Sequence, residues 1–248
     1  MEQSLRSKLV TRRTYNRPLD EKGNVFENWT QTVDRVIEHQ AWLWNRAAYV
    51  PFDMMEKELG ELRQLMLDRK VLMSGRTLWL GGTDVAKRRE ASQFNCSFTN
   101  VETVHDVVDV LWLLMQGCGV GFRPIVGQLT GFQKPIENLK IIRSTRTEKG
   151  GEKDNKETFE DGVWTIKVGD SAEAWSKSIG KILAHKYPAS TLVLDFSEIR
   201  PSGERLKGYG WICSGDKSLA TAYEAIFRIL NRRAGSLLSR IDILDIVN

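Results

Sequence analysis

Asn95-Cys96 sits on a short alternating segment, and about twenty residues later comes the glycine cluster Gly117-Cys118-Gly119-Val120-Gly121-Phe122. A thiol is a nucleophile and, paired with a second thiol, a two-electron donor. Glycine has no Cβ, so a strand rich in it lets main chain lie directly against a ligand. Together these residues suggest a thiol facing a cavity walled partly by backbone. Cys96 taken alone also fits a buried structural cysteine, because Phe94, Cys96 and Phe98 share one strand face that an alternating pattern would turn inward. Both readings stand on the residues alone.

Other groups suited to chemistry are weaker singly. Ser74-Gly75-Arg76 can offer a hydroxyl, a backbone N–H and a guanidinium to phosphate oxygens, or can simply be a turn. Lys87-Arg88-Arg89 and Arg232-Arg233 read as solvated faces or as phosphate ligands, and Cys118 and Cys213 as buried small residues. The spacing Gly117-x-Gly119-x-Gly121 invites comparison with a dinucleotide-binding turn. That turn needs strand, glycines, then helix, so that the helix N-terminus meets a pyrophosphate. Here the glycines follow a helical pattern and precede an extended one, so a stand-alone NAD enzyme is excluded on motif order.

Composition narrows the class. The 248 residues allow one large domain or two small ones. An apolar share of 41% with 27% charged residues is that of a soluble globular chain. A net charge of +4 with interspersed acids argues against a dedicated nucleic-acid protein and suits an anionic small ligand. No apolar run spans a membrane and the N-terminus lacks a signal core, so a cytoplasmic location is expected. Three cysteines without paired spacing are neither a disulfide framework nor a zinc site, and three scattered histidines build no metal site.

The elements that position these groups fall in two regions. Residues 1–70 read as helical, with Asn28/Gln31 capping a helix that carries Val33, Val36, Ile37 and Trp44. Asp53/Glu56 then opens a second, with Met55, Leu59, Leu62 and Met66. From residue 71 to 248 the pattern alternates strand and helix, which implies an α/β sheet or barrel. Thr103/Asp106 caps a helix that Gly117 ends. Leu139 to Ile142 and Val163 to Val168 suggest a hairpin around a charged, solvated loop from Arg143 to Gly162. Asp170/Glu173 opens a helix, Leu192 to Phe196 is a buried strand, Gly208 to Gly215 is a glycine-bearing loop, and Ser239/Asp242 starts a last helix.

Taken together, the segments resemble the adenosylcobalamin-dependent (class II) ribonucleotide reductases, in particular the monomeric ribonucleoside-triphosphate type. The likeness runs through Arg13-Thr14-Tyr15, Asn28-Trp29, Ser74-Gly75-Arg76-Thr77-Leu78-Trp79, Gly81-Gly82-Thr83-Asp84 and Asn95-Cys96. It continues in Gly117-x-Gly119-Val120-Gly121-Phe122, Leu194-Asp195-Phe196-Ser197-Glu198-Ile199-Arg200-Pro201 and Gly208-x-Gly210, and reaches Asp245-Ile246-Val247-Asn248. The resemblance implies a helical N-terminal region followed by the first half of a ten-stranded α/β barrel. It implies thiyl-radical chemistry started by adenosylcobalamin, with a cysteine pair supplying the electrons that replace the ribose 2′-hydroxyl by hydrogen.

Cys96 matches the first cysteine of that pair. Ser74, Gly75, Arg76 and Asn95 match segments bordering the substrate's phosphate and ribose, and Gly117, Gly119 and Gly121 the backbone that base and ribose approach. Gly208, Gly210, Ser214 and Gly215 match the loop that relays effector identity to the substrate site. Implied partners are a ribonucleotide substrate, a nucleotide effector, a thioredoxin-type dithiol reductant and a complementing C-terminal segment, with no nucleic acid and no membrane. The thiyl cysteine, the second redox cysteine and most of the cobalamin surface are expected beyond Asn248, so the 248 residues alone are expected to be inactive. Cys118 and the bulky Trp211-Ile212-Cys213 depart from the family pattern. The alternative function is a non-catalytic nucleotide-binding or interaction module with the same fold.

Overall fold

Asn28 and Gln31 stand three residues apart at the head of an apolar stripe, the arrangement in which each side chain can satisfy the other's orphan N–H. The computed structural model describes residues 4–20, 23–47, 51–148, 150–206, 209 and 211–248. In it Asn28 Oδ1 accepts from the Gln31 N–H, and Gln31 Oε1 from the Asn28 N–H, both at 2.9 Å. The chain forms two compact units, one holding the residues through Asn95 together with Tyr209, the other the remainder.

The first unit is helical. Helix α1 (Leu5–Val10) runs into a π-helical turn (Thr11–Tyr15), and α2 (Trp29–Ala47) and α3 (Phe52–Leu67) follow. Val33 and Val36 of α2 pack with Met66 of α3 and with Leu78. Helix α3 begins at an N-cap Pro51, not at the expected Asp53. The fixed φ of proline starts the helix early, leaving Asp53 in the first turn, where a carboxylate favours the helix dipole. Helical structure then persists as α4 (Gly75–Leu80), α5 (Asp84–Arg88) and a 3₁₀ turn (Glu90–Gln93), so strand–helix alternation starts at Cys96 and not at residue 71.

Arg35 is the hub of this unit. Its guanidinium pairs with Glu27 at 2.8 Å and also donates to the carbonyls of Tyr15, Leu78 and Gly81. Both members of the pair are nearly inaccessible, and Glu27 additionally accepts from the Arg17 N–H and the Thr32 hydroxyl.

In the second unit, β1 (Cys96–Val101), α6 (Val104–Met115) and β2 (Gly119–Pro124) form a β–α–β unit whose strands pair in parallel. Thr103 and Asp106 make the expected capping box. Gly117 ends α6 with φ of +81°, the left-handed conformation in which glycine carries no Cβ penalty. Four further strands, β3 (Asn138–Ile142), β4 (Lys156–Glu160), β5 (Val163–Lys167) and β6 (Thr191–Asp195), form a sheet in the order β3-β6-β5-β4. Helices α7 (Ala172–Ala184), α8 (Lys217–Arg232) and α9 (Arg240–Val247) complete the unit. Trp164, Ile166, Leu192, Leu194 and Phe196 are fully buried at its centre.

Two expectations are corrected here. The segments 139–142 and 163–168 do not form a hairpin, because β6 lies between β3 and β5 and pairs in parallel with both. The charged stretch from Arg143 to Gly162 contains β4, which pairs antiparallel with β5. Exposed Lys156, Thr158 and Glu160 alternate with half-buried Glu157 and Phe159, which suits an edge strand with one wet face. Phe159 stacks on Tyr187 at 4.9 Å, and Glu157 accepts from the Trp164 indole at 2.9 Å and pairs with Lys181. Asp170 also does not cap α7. Ser171 does, and Asp170 is held by Arg200 at 2.9 Å.

Arg232 and Arg233, candidate phosphate ligands by sequence, both clamp the buried Asp242, at 2.7 and 2.6 Å. Asp242 also completes the Ser239 capping box of α9. Burial raises the pKa of Asp242, but hydrogen bonds from Ser239, Arg232 and Arg233 outweigh it and leave the carboxyl below the ordinary range. Glu27 behaves alike: burial raises its pKa, and bonds from Arg35, the Arg17 N–H and Thr32 lower it further than burial lifts it.

A carboxyl with a depressed folded-state pKa contributes stability that is present above its unfolded pKa and is lost as pH falls. The thermal midpoint is therefore expected to fall as pH drops below about 4.5, near the unperturbed carboxylate range, and Glu27→Gln should flatten that decline. A midpoint constant from neutral pH down to about 3 would refute the assignment of both carboxylates as acid-labile locks.

Candidate functional site

The parallel register of β1 and β2 decides what surrounds the thiol. Cys96 pairs with Gly119 and Phe98 with Gly121, so all four residues lie on one face. The opposite face carries Ser97, Thr99 and Val101 in register with Val120, Phe122 and Pro124. Val120 and Phe122 pack against the main core, which turns that face inward. Cys96 is consequently exposed, and Phe98 is 70% exposed. The alternation expected from sequence is present, but the side holding Phe94, Cys96 and Phe98 is the open one, and a buried structural role for Cys96 is overturned. A Cβ on Gly121 would come within 3.1 Å of the Phe98 ring, so the missing side chain gives that ring its place over the strand.

The remaining thiols do not share this face. Cys118 is 2% exposed, with Sγ 3.5 Å from the Ser97 hydroxyl on the buried side. Cys213 is also buried and accepts the Gly215 N–H. All three cysteines are free.

In the first unit, Ser74 is the N-cap of α4. Its hydroxyl accepts the Thr77 N–H and shares a 3.0 Å hydrogen bond with the Thr77 hydroxyl. Gly75 follows as the exposed first helical residue. Arg76 reaches 19 residues along the chain to Asn95, donating from Nε to Oδ1 at 2.9 Å, with its guanidinium 5.5 Å from the Trp79 ring. Helix α4 is anchored at its other end by Arg35 through the Leu78 and Gly81 carbonyls. Sequence reasoning missed both Arg35 and the Arg76–Asn95 bond. Neither leaves a signal, since each joins residues distant in the chain.

Gly208 and Gly210 lie outside the described residues. The flanks of their loop form a narrow antiparallel ladder: the Gly203 N–H donates to the Cys213 carbonyl, Cys213 N–H to Glu204, and Arg205 bridges Ile212. Ser214 accepts from the Ser218 hydroxyl, and Gly215 has φ of +70° beside Ser202. Tyr209 is buried in the first unit with Leu80 and Ala86. Among the described residues no three His, Cys, Asp or Glu side chains are grouped to hold a metal ion, and no helix is long and apolar enough to cross a membrane.

With this geometry in place, comparison with known proteins is decisive. Residues 3–83 match the ribonucleotide reductase alpha domain, and residues 142–230 match the insertion domain of B12-dependent ribonucleotide reductase. Both matches point to the B12-dependent, class II ribonucleotide reductases, which the chain resembles. It is 29% identical to the adenosylcobalamin-dependent ribonucleoside-triphosphate reductase of Lactobacillus helveticus over 96% of its own length and 38% of that protein's. A reductase of the same name from Lactobacillus leichmannii is 28% identical, with 96% and 37% covered. The crystal structure of a B12-dependent (class II) ribonucleotide reductase superposes with a TM-score of 0.76 at 26% identity, over 97% of this chain and 39% of that one. The chain thus spans well under half the length of these reductases. Its mixed helix-and-sheet fold is similar to that of this class II reductase, and the insertion-domain match runs from β4 through β6 into α8, a stretch in which sequence patterning alone marks no boundary.

Proposed function

We propose that this chain supplies the first redox cysteine and part of the nucleotide site to a reductase that converts ribonucleotides, as triphosphates, to deoxyribonucleotides. The observation that carries this reading is the exposed Cys96 thiol on a strand whose register partners are glycines. A thiol there is open to a ribose on one side and to a dithiol reductant afterwards.

The reaction balances with two thiols. The C2′–OH bond breaks, hydrogen replaces the hydroxyl, water leaves, and the two thiols become a disulfide that a thioredoxin-type dithiol reduces. Cys118 is a poor second thiol for Cys96, since it lies on the buried face of the same strand pair and a disulfide needs its Cβ atoms about 3.8 Å apart and facing. The second thiol is assigned to a complementing segment of the enzyme, as are the thiyl cysteine and the rest of the ten-stranded barrel.

Adenosylcobalamin is the cofactor implied. Most of the corrin surface is assigned to the complementing segment, as the family resemblance implies. Assay of nucleotide reduction with adenosylcobalamin and a dithiol, with and without the complementing segment, should give activity only with it. Reductase activity from the 248 residues alone would overturn this division of labour.

The loop through Gly208, Gly210, Ser214 and Gly215 is proposed to pass effector identity to the substrate site. Deleting Trp211-Ile212-Cys213 would remove the Cys213 ladder bonds, so a point change tests the role more cleanly. Ile212 is 68% exposed, and Ile212→Ser should shift base preference or effector response several-fold while changing stability by less than about 0.5 kcal/mol. Unaltered responses across all four ribonucleotides would remove the assignment.

A further inference from the structure

The charged stretch after β3 reads from sequence as a solvated loop, yet its first residues are bound at both ends of the loop 203–215. Just after that loop, Asp216 is the N-cap of α8, where an aspartate ordinarily accepts from its own helix. Here its side chain makes no such bond. The carboxylate instead accepts from Arg143 Nε at 2.7 Å, Arg143 Nη2 at 2.9 Å and the Ser144 N–H at 2.8 Å. Just before the loop, the Ser144 hydroxyl donates to the Ile199 carbonyl at 2.6 Å. Its neighbour Glu198 is held by Lys167 at 2.7 Å, by Arg146 at 3.3 Å and by the Glu152 N–H at 3.0 Å. The Arg143 bonds keep the Asp216 carboxyl below its usual range, and the Lys167 bond does the same for Glu198. Ser144 thus joins the two ends, one through its backbone and the other through its side chain.

We infer that Arg143 and Ser144 are positioning residues that tie the two ends of this loop together and so set how it responds to an effector. This rests on the relay role proposed above for the loop. Between the tied ends lies the narrow ladder in which Gly203 donates to Cys213 and Cys213 to Glu204. A two-stranded ladder by itself is marginal in water. Fixing its ends lowers the closure entropy it must overcome. It also leaves the loop few conformations, and a ligand shifts a population only through its different affinities for distinct states. The forked Arg143 guanidinium suits the task, since two parallel bonds fix orientation as well as distance.

The test uses the assembled reductase and has two arms. In the first, hydrogen exchange is followed at the Gly203 and Cys213 amides, with the buried strand β6 as internal control. Arg143→Ala and Ser144→Ala should each speed exchange at the ladder roughly five- to tenfold, the size of one lost hydrogen bond, and leave β6 unchanged. Arg143→Lys, which keeps the charge but not the fork, should fall between Arg143→Ala and the unaltered protein. Unchanged ladder exchange in both alanine variants would overturn the tie. Equal acceleration in β6 would overturn it as well, because the residues would then support the whole unit and not the loop.

In the second arm, reduction of the four ribonucleotides is compared with and without each product deoxyribonucleoside triphosphate. Arg143→Ala should shrink the effector-induced change in base preference several-fold and leave the effector-free rate nearly unaltered. Faster ladder exchange with an intact effector response would overturn the regulatory role. If Ile212→Ser shows that the loop relays nothing, the effector role of Arg143 and Ser144 falls with that assignment, while exchange still decides the tie.

Discussion

In the assembled reductase, Cys96→Ser is expected to reduce multiple-turnover deoxynucleotide formation to background. Serine has nearly the shape of cysteine and sits at an exposed strand position, so folding should be unaffected, whereas an alcohol cannot form the disulfide that delivers two electrons. The expected signature is loss of thioredoxin-dependent turnover with ribonucleotide binding retained. Cys118→Ala is the matching control. Cys118 is buried on the other face of the strand pair, so its truncation should cost about 1–2 kcal/mol of stability and leave turnover per folded molecule nearly intact. Sustained turnover in Cys96→Ser, or equal loss in Cys118→Ala, would show that a different thiol carries the electrons.

Trp164→Ala should be the most damaging packing change. Trp164 is fully buried on β5, pairs in register with Leu192 of β6, and meets the Tyr187 ring at 5.7 Å. Its indole N–H is also a partner of Glu157, which in turn holds Lys181 of α7. Truncation removes the ring, leaves a cavity in the sheet and strips a donor from a partly buried carboxylate, for a combined cost of about 3–5 kcal/mol. Against a typical total of about 5–15 kcal/mol, much of the second unit's stability would be gone. Urea unfolding should show a large drop in midpoint. Trp164→Phe, which keeps most of the volume but not the N–H, should lose only about 1–2 kcal/mol. Equal midpoints for Trp164→Ala and the parent would mean that the β5–β6 layer is not the core described here.

Local chemistry was legible in the amino-acid sequence at most places where the determining residues lie within a few positions of one another, although two helix starts shifted, to Pro51 from Asp53 and to Ser171 from Asp170. The boxes Asn28/Gln31, Thr103/Asp106 and Ser239/Asp242 were readable because capping joins a residue to its third neighbour. The helix stop at Gly117 and the alternation through Cys96 followed from the same short range, and so did the order of glycines that excluded a dinucleotide turn. The family likeness was legible for a related reason, since it rests on ordered short motifs.

Tertiary structure decided everything that depends on distant partners. Alternation in β1 says that two faces differ, but only pairing with β2, whose Val120 and Phe122 are drawn to the core, says that Cys96 faces outward. The separation of β3 from β5 arises because β6, distant in sequence, pairs in parallel with both and places Trp164 and Leu192 side by side. Arg76, Arg232 and Arg233 looked alike as candidate phosphate ligands. Folding placed a side-chain acceptor beside each, Asn95 for one and Asp242 for the other two, and a guanidinium that satisfies a nearby acceptor is no longer a free anion site.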